Sequence, residues 1–234
     1  MKSIAVITAR GGSKRIPRKN IKPFLGKPII EYSIQAALES GCFDEVMVST
    51  DDEEIAEISK KAGAQVPFLR SPETANDFAT TADVIFEVLY NYMEQGQSID
   101  VCCCIYPTAP FVTAKKLREA MELLQSGEVD GVVPVVAFSY PPQRALVERE
   151  GGLMFVTPEY RNARSQDLEC WYHDAGQFYL LQVDSFLKTG LLFGRRVLPY
   201  KVSELEVQDI DNETDWLLAE MKYQYMMERD RQEG

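Results

Sequence analysis

Histidine is nearly missing: His173 is the only one in 234 residues. A histidine-rich metal cluster is therefore excluded, and any hydrolase triad would have to rest on that one imidazole. No serine or cysteine sits in a nucleophile elbow to partner it. No stretch approaches the roughly 18 uninterrupted apolar residues that a membrane span needs. The first strand begins almost at the N-terminus, which leaves no room for a signal peptide, so the expected compartment is the cytoplasm. The five cysteines (Cys42, Cys102, Cys103, Cys104, Cys170) are an odd number without framework spacing, as expected of buried thiols in a reducing compartment. Three of them are consecutive and on a strand would point alternately to opposite faces, so they cannot share one metal. Neither Gly-x-x-x-x-Gly-Lys-Ser/Thr nor Gly-x-Gly-x-x-Gly occurs.

Acid is absent from one place in particular. Residues 1–30 carry eight lysines and arginines and no Asp or Glu, whereas the whole chain has 25 cations against 36 acids, a net of −11. A basic segment on an acidic protein is a local anion site rather than a nucleic-acid surface. Its centre is Ala9-Arg10-Gly11-Gly12-Ser13-Lys14-Arg15-Ile-Pro17-Arg18-Lys19-Asn20, directly after the apolar run Ser3–Thr8. A solvated basic loop would show the same charge. The Gly11-Gly12 break at a strand end adds close backbone approach and free N–H donors, which suits a polyphosphate.

Beyond the loop, apolar runs alternate with helical periodicities. Helices are predicted from Lys27-Pro28 to Gly41, from the Asp51-Asp52 cap to Lys61, from Thr81 to about Met93, and after Thr113. Strands are predicted at Glu45–Thr50, Gln65–Arg70 (edge-like, because of Pro67), Asp100–Tyr106 and Asp130–Ala137. This alternation calls for a doubly wound, mostly parallel α/β sheet, which binds ligands at the carboxyl ends of its strands. The rhythm breaks between Phe138 and Trp171, where prolines and Gly151-Gly152 predict a protruding hairpin arm within a single domain. Its apolar residues need cover, either from a second copy or from the chain itself. A strand at Ala175–Leu181, a helix at Asp184–Gly190, a strand at Arg196–Lys201 and a last helix marked by Trp216, Leu217, Tyr223 and Met227 follow. The tail from Glu228 to Gly234 is expected to fray.

Asp209-Ile210-Asp211 places two carboxylates at i and i+2 on an extended segment, with Ile210 turned inward. Such a pair could cap the following helix or hold Mg²⁺, which takes one or two carboxylates and fills its shell with water and phosphate oxygens. His173 beside Asp174 could be a structural pair or meet a substrate. Arg70 and Thr80-Thr81 could be a surface ion and a helix cap, or frame a ligand.

The Ala9–Asn20 segment resembles the N-terminal signature of the cytidylyltransferases that make CMP-activated nonulosonic acids, the sialic acid synthetase family. Phe43–Asp51, Leu69-Arg70-Ser-Pro, Ala75-Asn-Asp77 with Thr80-Thr81, Tyr106-Pro-Thr-Ala-Pro110 and Gln208-Asp-Ile-Asp211 are similar to further motifs of that family, in order. Arg164-Ser-Gln166-Asp167 and Tyr172-His173-Asp174-Ala-Gly176 look closest to the pseudaminic acid branch. Tyr106 and Val112 depart from the Gln and Arg of the N-acetylneuraminate branch. The resemblance implies a Rossmann-like nucleotidyltransferase fold with a dimerisation arm, CTP as co-substrate, Mg²⁺ on Asp209 and Asp211, and no nucleic-acid or membrane partner. It implies that Ala9, Arg10, Gly11, Gly12, Ser13, Lys14, Lys19, Asn20, Arg70, Thr80 and Thr81 surround CTP. Tyr106, Arg164, Gln166, His173, Asp174 and Gln177 are expected at an acidic nine-carbon sugar, with Arg164 on its carboxylate. Arg10, Lys14, Asp209 and Asp211 are expected to carry the chemistry. The sugar could equally be legionaminate, N-acetylneuraminate or Kdo. A non-catalytic nucleotide-sugar sensor on the same fold is the alternative of another class.

Overall fold

The runs Ile4–Ile7 and Val101–Ile105 have no polar face, so each must be covered on both sides. The computed structural model describes residues 1–233. The chain opens with strands β1 (Ser3–Thr8), β2 (Pro23–Phe24) and β3 (Lys27–Pro28), then α1 (Ile30–Ser40), β4 (Glu45–Ser49) and α2 (Glu53–Lys61). A one-turn helix α3 (Pro72–Ala75), α4 (Thr81–Glu94), β5 (Val101–Ile105), α5 (Ala114–Gln125) and β6 (Gly131–Ala137) follow. The hairpin β7 (Leu146–Arg149) and β8 (Gly152–Phe155) precedes β9 (Tyr172–Asp174), β10 (Phe178–Gln182), α6 (Val183–Thr189), β11 (Val197–Lys201) and α7 (Glu213–Glu233).

Among the described residues the main sheet has the order β11-β6-β10-β5-β1-β4, with β9 paired to the end of β6. β1 runs parallel to β4 and β5, and β6 parallel to β11. The sheet is thus doubly wound and mostly parallel, but β10 enters antiparallel between β5 and β6. β9 and β10 both run antiparallel to β6, and the chain bulges between them at Ala175–Gln177, where Gly176 takes φ +61°. That bulge parts the sheet at the carboxyl ends of β5 and β6, the end where the site forms.

The triple cysteine shows how the faces divide. Cys103 packs with Ala5, Ile7 and Val48 under α1 and α5, while Cys102 and Cys104 pack with Ile4, Val6 and Met47 under α4 and α6. Burial in these apolar layers pushes the Cys104 thiol up to about 12.

Local signals set the helix starts. Asp52 accepts from the Ile55 amide at 3.0 Å, Thr113 accepts from the Lys116 amide, and Thr80 and Asp83 form a reciprocal capping box. Several boundaries differ from the sequence expectation. Lys27-Pro28 pairs with Pro23-Phe24 as a small ladder, so α1 starts only at Ile30. Gln65–Arg70 is not a strand: Gln65 alone bridges to β4 before Pro67 ends the pairing. Pro72–Ala75 forms one helical turn between Arg70 and the start of α4. The hairpin within 138–171 forms as expected, its turn at Glu150-Gly151 in left-handed conformation.

α7 continues through Glu233 where fraying is expected from Glu228; Gly234 lies outside the described residues. Its buried stripe is Trp216, Ala219 and Met226 rather than Leu217 and Met227, which face outward. Phe24 is fully buried with its ring centroid 5.4 Å from Tyr32, 5.6 Å from Trp216 and 5.7 Å from Tyr223. Edge-to-face pairs of this kind contribute about 0.5–1.5 kcal/mol each beyond area burial. They fasten α7, and the segment leading into it, beside the N-terminal loop.

Candidate active site

Three adjoining cavities run along the carboxyl ends of β1, β5 and β6, and Tyr106 lines all three. The first, about 240 Å³, is walled by Thr8, Arg10, Arg70, Asp77, Thr80 and Thr81. The second, about 380 Å³, lies against Arg10, Ser13, Lys14, Arg15, Lys19 and Asn20. The third, about 690 Å³, lies between Tyr106, Phe138, His173, Asp174, Tyr179, Asp209 and Lys222.

The glycine loop forms for reasons visible in its contacts. The Gly11 amide donates to Asp51 at 2.9 Å, and a Cβ on Gly11 would lie 2.6 Å from Asp52 Oδ2. Gly11 is therefore required by the protein's own packing, while Gly12 faces open space. Asn20 is buried and donates to the Arg10 carbonyl at 2.9 Å, closing the loop into a ring; Ala9 is buried behind it, its amide given to Ser49. Arg18 departs from the cluster. Its guanidinium turns to Asp52 and Glu54 at the start of α2, and its own charge is stabilised there.

The remaining cations are each held by an acid. Arg10 and Lys14 share Asp77 at 2.6 and 2.5 Å, and Arg15 meets Asp211 at 2.6 Å. Lys19 donates to the Ile210 carbonyl at 2.7 Å and stands 4.0 Å from Asp211. Burial lowers the Lys19 pKa, opposed by the charges of Asp211 and Asp209. Ile210 is buried against Phe24 and Trp216 as the alternation requires, leaving Asp209 exposed at the third cavity and Asp211 beside the second. Among the described residues no third His, Cys, Asp or Glu gathers with these two into a cluster. A pair of carboxylates beside a cationic cleft fits Mg²⁺, which draws its other ligands from water and phosphate, and does not fit a closed zinc site.

Arg70 is buried, donates to Ser49 Oγ at 3.0 Å and Ser49 O at 2.6 Å, and forms no ion pair among the described residues. Burial pulls its pKa down. Thr81 Oγ1 and the Tyr106 hydroxyl are 3.1 Å apart, which joins the first cavity to the shared wall. On the far side the Tyr179 hydroxyl donates to Asp174 Oδ2, and Asp174 Oδ1 accepts from the Gly176 amide at 2.8 Å. Burial and that carboxylate push the Tyr179 pKa up. The His173 ring packs on Phe138, centroids 4.8 Å apart.

Three residues expected at the sugar do not line the three cavities. Gln177 is buried and gives its amide to the Glu206 carbonyl at 2.6 Å, because the bulge between β9 and β10 turns it under the segment that precedes Asp209. Arg164 and Gln166 lie at a 3-10 turn that follows the β7–β8 hairpin, where Arg164 pairs with Asp167 at 2.7 Å, and neither lines the cavities. Thr8, Asp77, Phe138, Tyr179 and Lys222 are wall residues that the sequence reading missed. Asp77 left a trace in the Ala75-Asn-Asp77 motif, and Lys222 as a lysine at helical spacing between Ala219 and Met226 on the inward stripe of α7.

The fold is that of nucleotidyltransferases. It superimposes on a CMP:2-keto-3-deoxy-manno-octonic acid synthetase complexed with CTP, with TM-score 0.68 at 17% identity, covering 97% of this chain and 100% of that one. A 4-diphosphocytidyl-2C-methyl-D-erythritol synthase from Anaerococcus prevotii matches with TM-score 0.64 at 14% identity, over 95% and 98% of the two chains. The chain belongs to the cytidylyltransferase family, whose model matches residues 4–228. It is 40% identical over 224 residues to a pseudaminic acid cytidylyltransferase of Campylobacter jejuni, covering 95% of this chain and 97% of the relative. It is 33% identical to a CMP-N,N'-diacetyllegionaminic acid synthase of Legionella pneumophila, over 94% and 95% of the two.

Proposed function

We propose that this protein transfers CMP from CTP to the anomeric hydroxyl of a nonulosonic acid, pseudaminic acid first, releasing pyrophosphate. One observation carries the reading: a continuous cleft with cations along its middle, a carboxylate pair at its edge and a larger polar chamber beyond. The bond formed joins the sugar oxygen to the α-phosphorus, the bond broken frees pyrophosphate, and the hydroxyl proton leaves to water. Such a transfer needs alignment and charge neutralisation more than a covalent protein nucleophile.

Arg10, Lys14 and Lys19 would hold the triphosphate, with the loop backbone from Gly11 to Ser13 beside it. Arg70, Asn20, Thr80 and Thr81 would meet the nucleoside, and Tyr106, His173 and Asp174 the sugar. Asp209 and Asp211 would hold Mg²⁺, whose charge stabilises the phosphates and favours an ionised hydroxyl. Turnover of pseudaminic, legionaminic and N-acetylneuraminic acids and Kdo with CTP, read as pyrophosphate release, tests the assignment; CTP binding without release would indicate a sensor instead.

The hairpin arm exposes Leu146, Leu153 and Met154 on one small ladder and Val156 just beyond it. Covering such a patch by a second copy makes a homodimer the natural assembly and the arm its clasp within a single domain. Among the described residues no helix is long and apolar enough to cross a membrane. We place the enzyme in the cytoplasm, where nucleoside triphosphates are available.

A further inference from the structure

The cleft sorts its cations unevenly. Arg10, Lys14, Arg15 and Lys19 all line the middle cavity, where a triphosphate would neutralise them. The larger cavity has Asp174, Glu204 and Asp209 in its wall, and among the described residues one lysine or arginine, Lys222. An acidic sugar entering that chamber needs a positive partner for its carboxylate, or it leaves a charge poorly compensated. Arg164, the partner suggested by sequence, is on the arm and bonded to Asp167.

Lys222 is built for that part. Its ammonium donates to the Val207 carbonyl at 2.7 Å and the Glu204 carbonyl at 3.2 Å, both uncharged acceptors. An ammonium has three N–H donors, so one remains after these two are counted, and among the described residues the charge has no carboxylate partner. The two carbonyls also fix where the charge stands, so little further side-chain freedom is lost on binding. The location fits the chemistry of the substrate: in a 2-keto acid sugar the carboxylate is attached to the same carbon as the reacting hydroxyl. A cation for it must therefore sit close to the reaction centre, and Val207 is two residues from Asp209.

We propose that Lys222 receives the carboxylate of the acidic sugar, an inference that rests on the reading that the larger cavity is the sugar chamber. The test compares wild type, Lys222→Met and Lys222→Arg with pseudaminic acid and its C1 methyl ester, using calorimetric affinity for each sugar and KM for CTP. A charged hydrogen bond of this type predicts that Lys222→Met weakens the free acid about 10- to 100-fold. The ester should be held almost equally by both proteins, the KM for CTP should be unchanged, and Lys222→Arg should keep most of the preference for the acid. Equal weakening of acid and ester would make Lys222 a strut for the Val207 segment and overturn the proposal, as would unchanged affinity for the acid. If wild-type protein releases pyrophosphate with no acidic sugar at all, the sugar reading itself fails and takes this inference with it.

Discussion

The Lys19 ammonium donates to the carbonyl of Ile210 at 2.7 Å, joining two residues 191 positions apart. This bond brings the glycine loop and the Asp209/Asp211 pair to one cleft. Each side depends on the other. The lysine is partly buried by the segment it holds, and the acids raise the pKa that burial lowers.

Replacing Asp211 by alanine should remove one of two carboxylates available to a divalent cation and free Arg15 from its 2.6 Å pair. Metal stabilisation is worth several kcal/mol, so turnover should drop at least ~100-fold with the fold retained. Pyrophosphate release at saturating CTP, alongside circular dichroism, checks this; normal turnover would remove the metal assignment.

Asp77 bridges Arg10 and Lys14, and triphosphate oxygens would compete with it for the same donors. Both pairs are largely solvent-exposed and individually weak, so Asp77→Asn should tighten CTP binding only about threefold. Lys14→Ala should weaken it. Calorimetry with CTP separates the two directions, and unchanged affinity in both variants would contradict the phosphate role of this pair.

A methyl group on Gly11 would lie 2.6 Å from Asp52 Oδ2 and 3.1 Å from its Cβ. Asp52 cannot easily yield, because Arg18 grips both its oxygens at 2.5 and 2.9 Å while it caps α2. Gly11→Ala should cost about 1–3 kcal/mol of stability, the usual penalty of overpacking. A urea midpoint equal to that of wild type would show that the loop relaxes freely. Gly12→Ala, with open space around it, should be nearly neutral.

The Arg18 guanidinium holds the Asp52 carboxyl down to about 2, well below its ordinary value. A carboxyl lowered in the folded state contributes stability that is complete above its unfolded pKa and is lost as pH falls through the folded one. The loss should therefore run from about pH 4 to about pH 2. Asp52→Asn keeps a good helix cap but removes this titration, so its stability should change less over that window. Urea midpoints of both proteins across the window decide it; parallel curves would reject the coupling.

Glu206 is buried between Lys116 at 2.5 Å and Arg229 at 2.7 Å, tying the segment before Asp209 to α5 and α7. The two cations hold its pKa down against burial, which raises it. Removing one partner from a buried ionic group costs about 3–5 kcal/mol, so Glu206→Gln should be strongly destabilising in urea. A small effect would show that Lys116 and Arg229 find other partners.

The amino-acid sequence by itself determined what short-range physics controls. Apolar runs such as Val101–Ile105 can only be covered strands, Asp52, Thr80 and Thr113 cap helices by their own hydroxyl or carboxylate, and Asp-Ile-Asp must turn its acids outward once Ile210 is buried. The family motifs were legible for the same reason, since each is a contiguous stretch. Tertiary structure decided whatever depends on partners distant in the chain. It set β10 antiparallel between β5 and β6, turned Arg18 toward α2, buried Gln177 under Glu206 and left Arg164 and Gln166 outside the three cavities. It also brought Lys222 into the wall of the largest of the three cavities. Charge and periodicity do not encode which neighbour a side chain meets; packing around the sheet and the aromatic contacts of α7 select it.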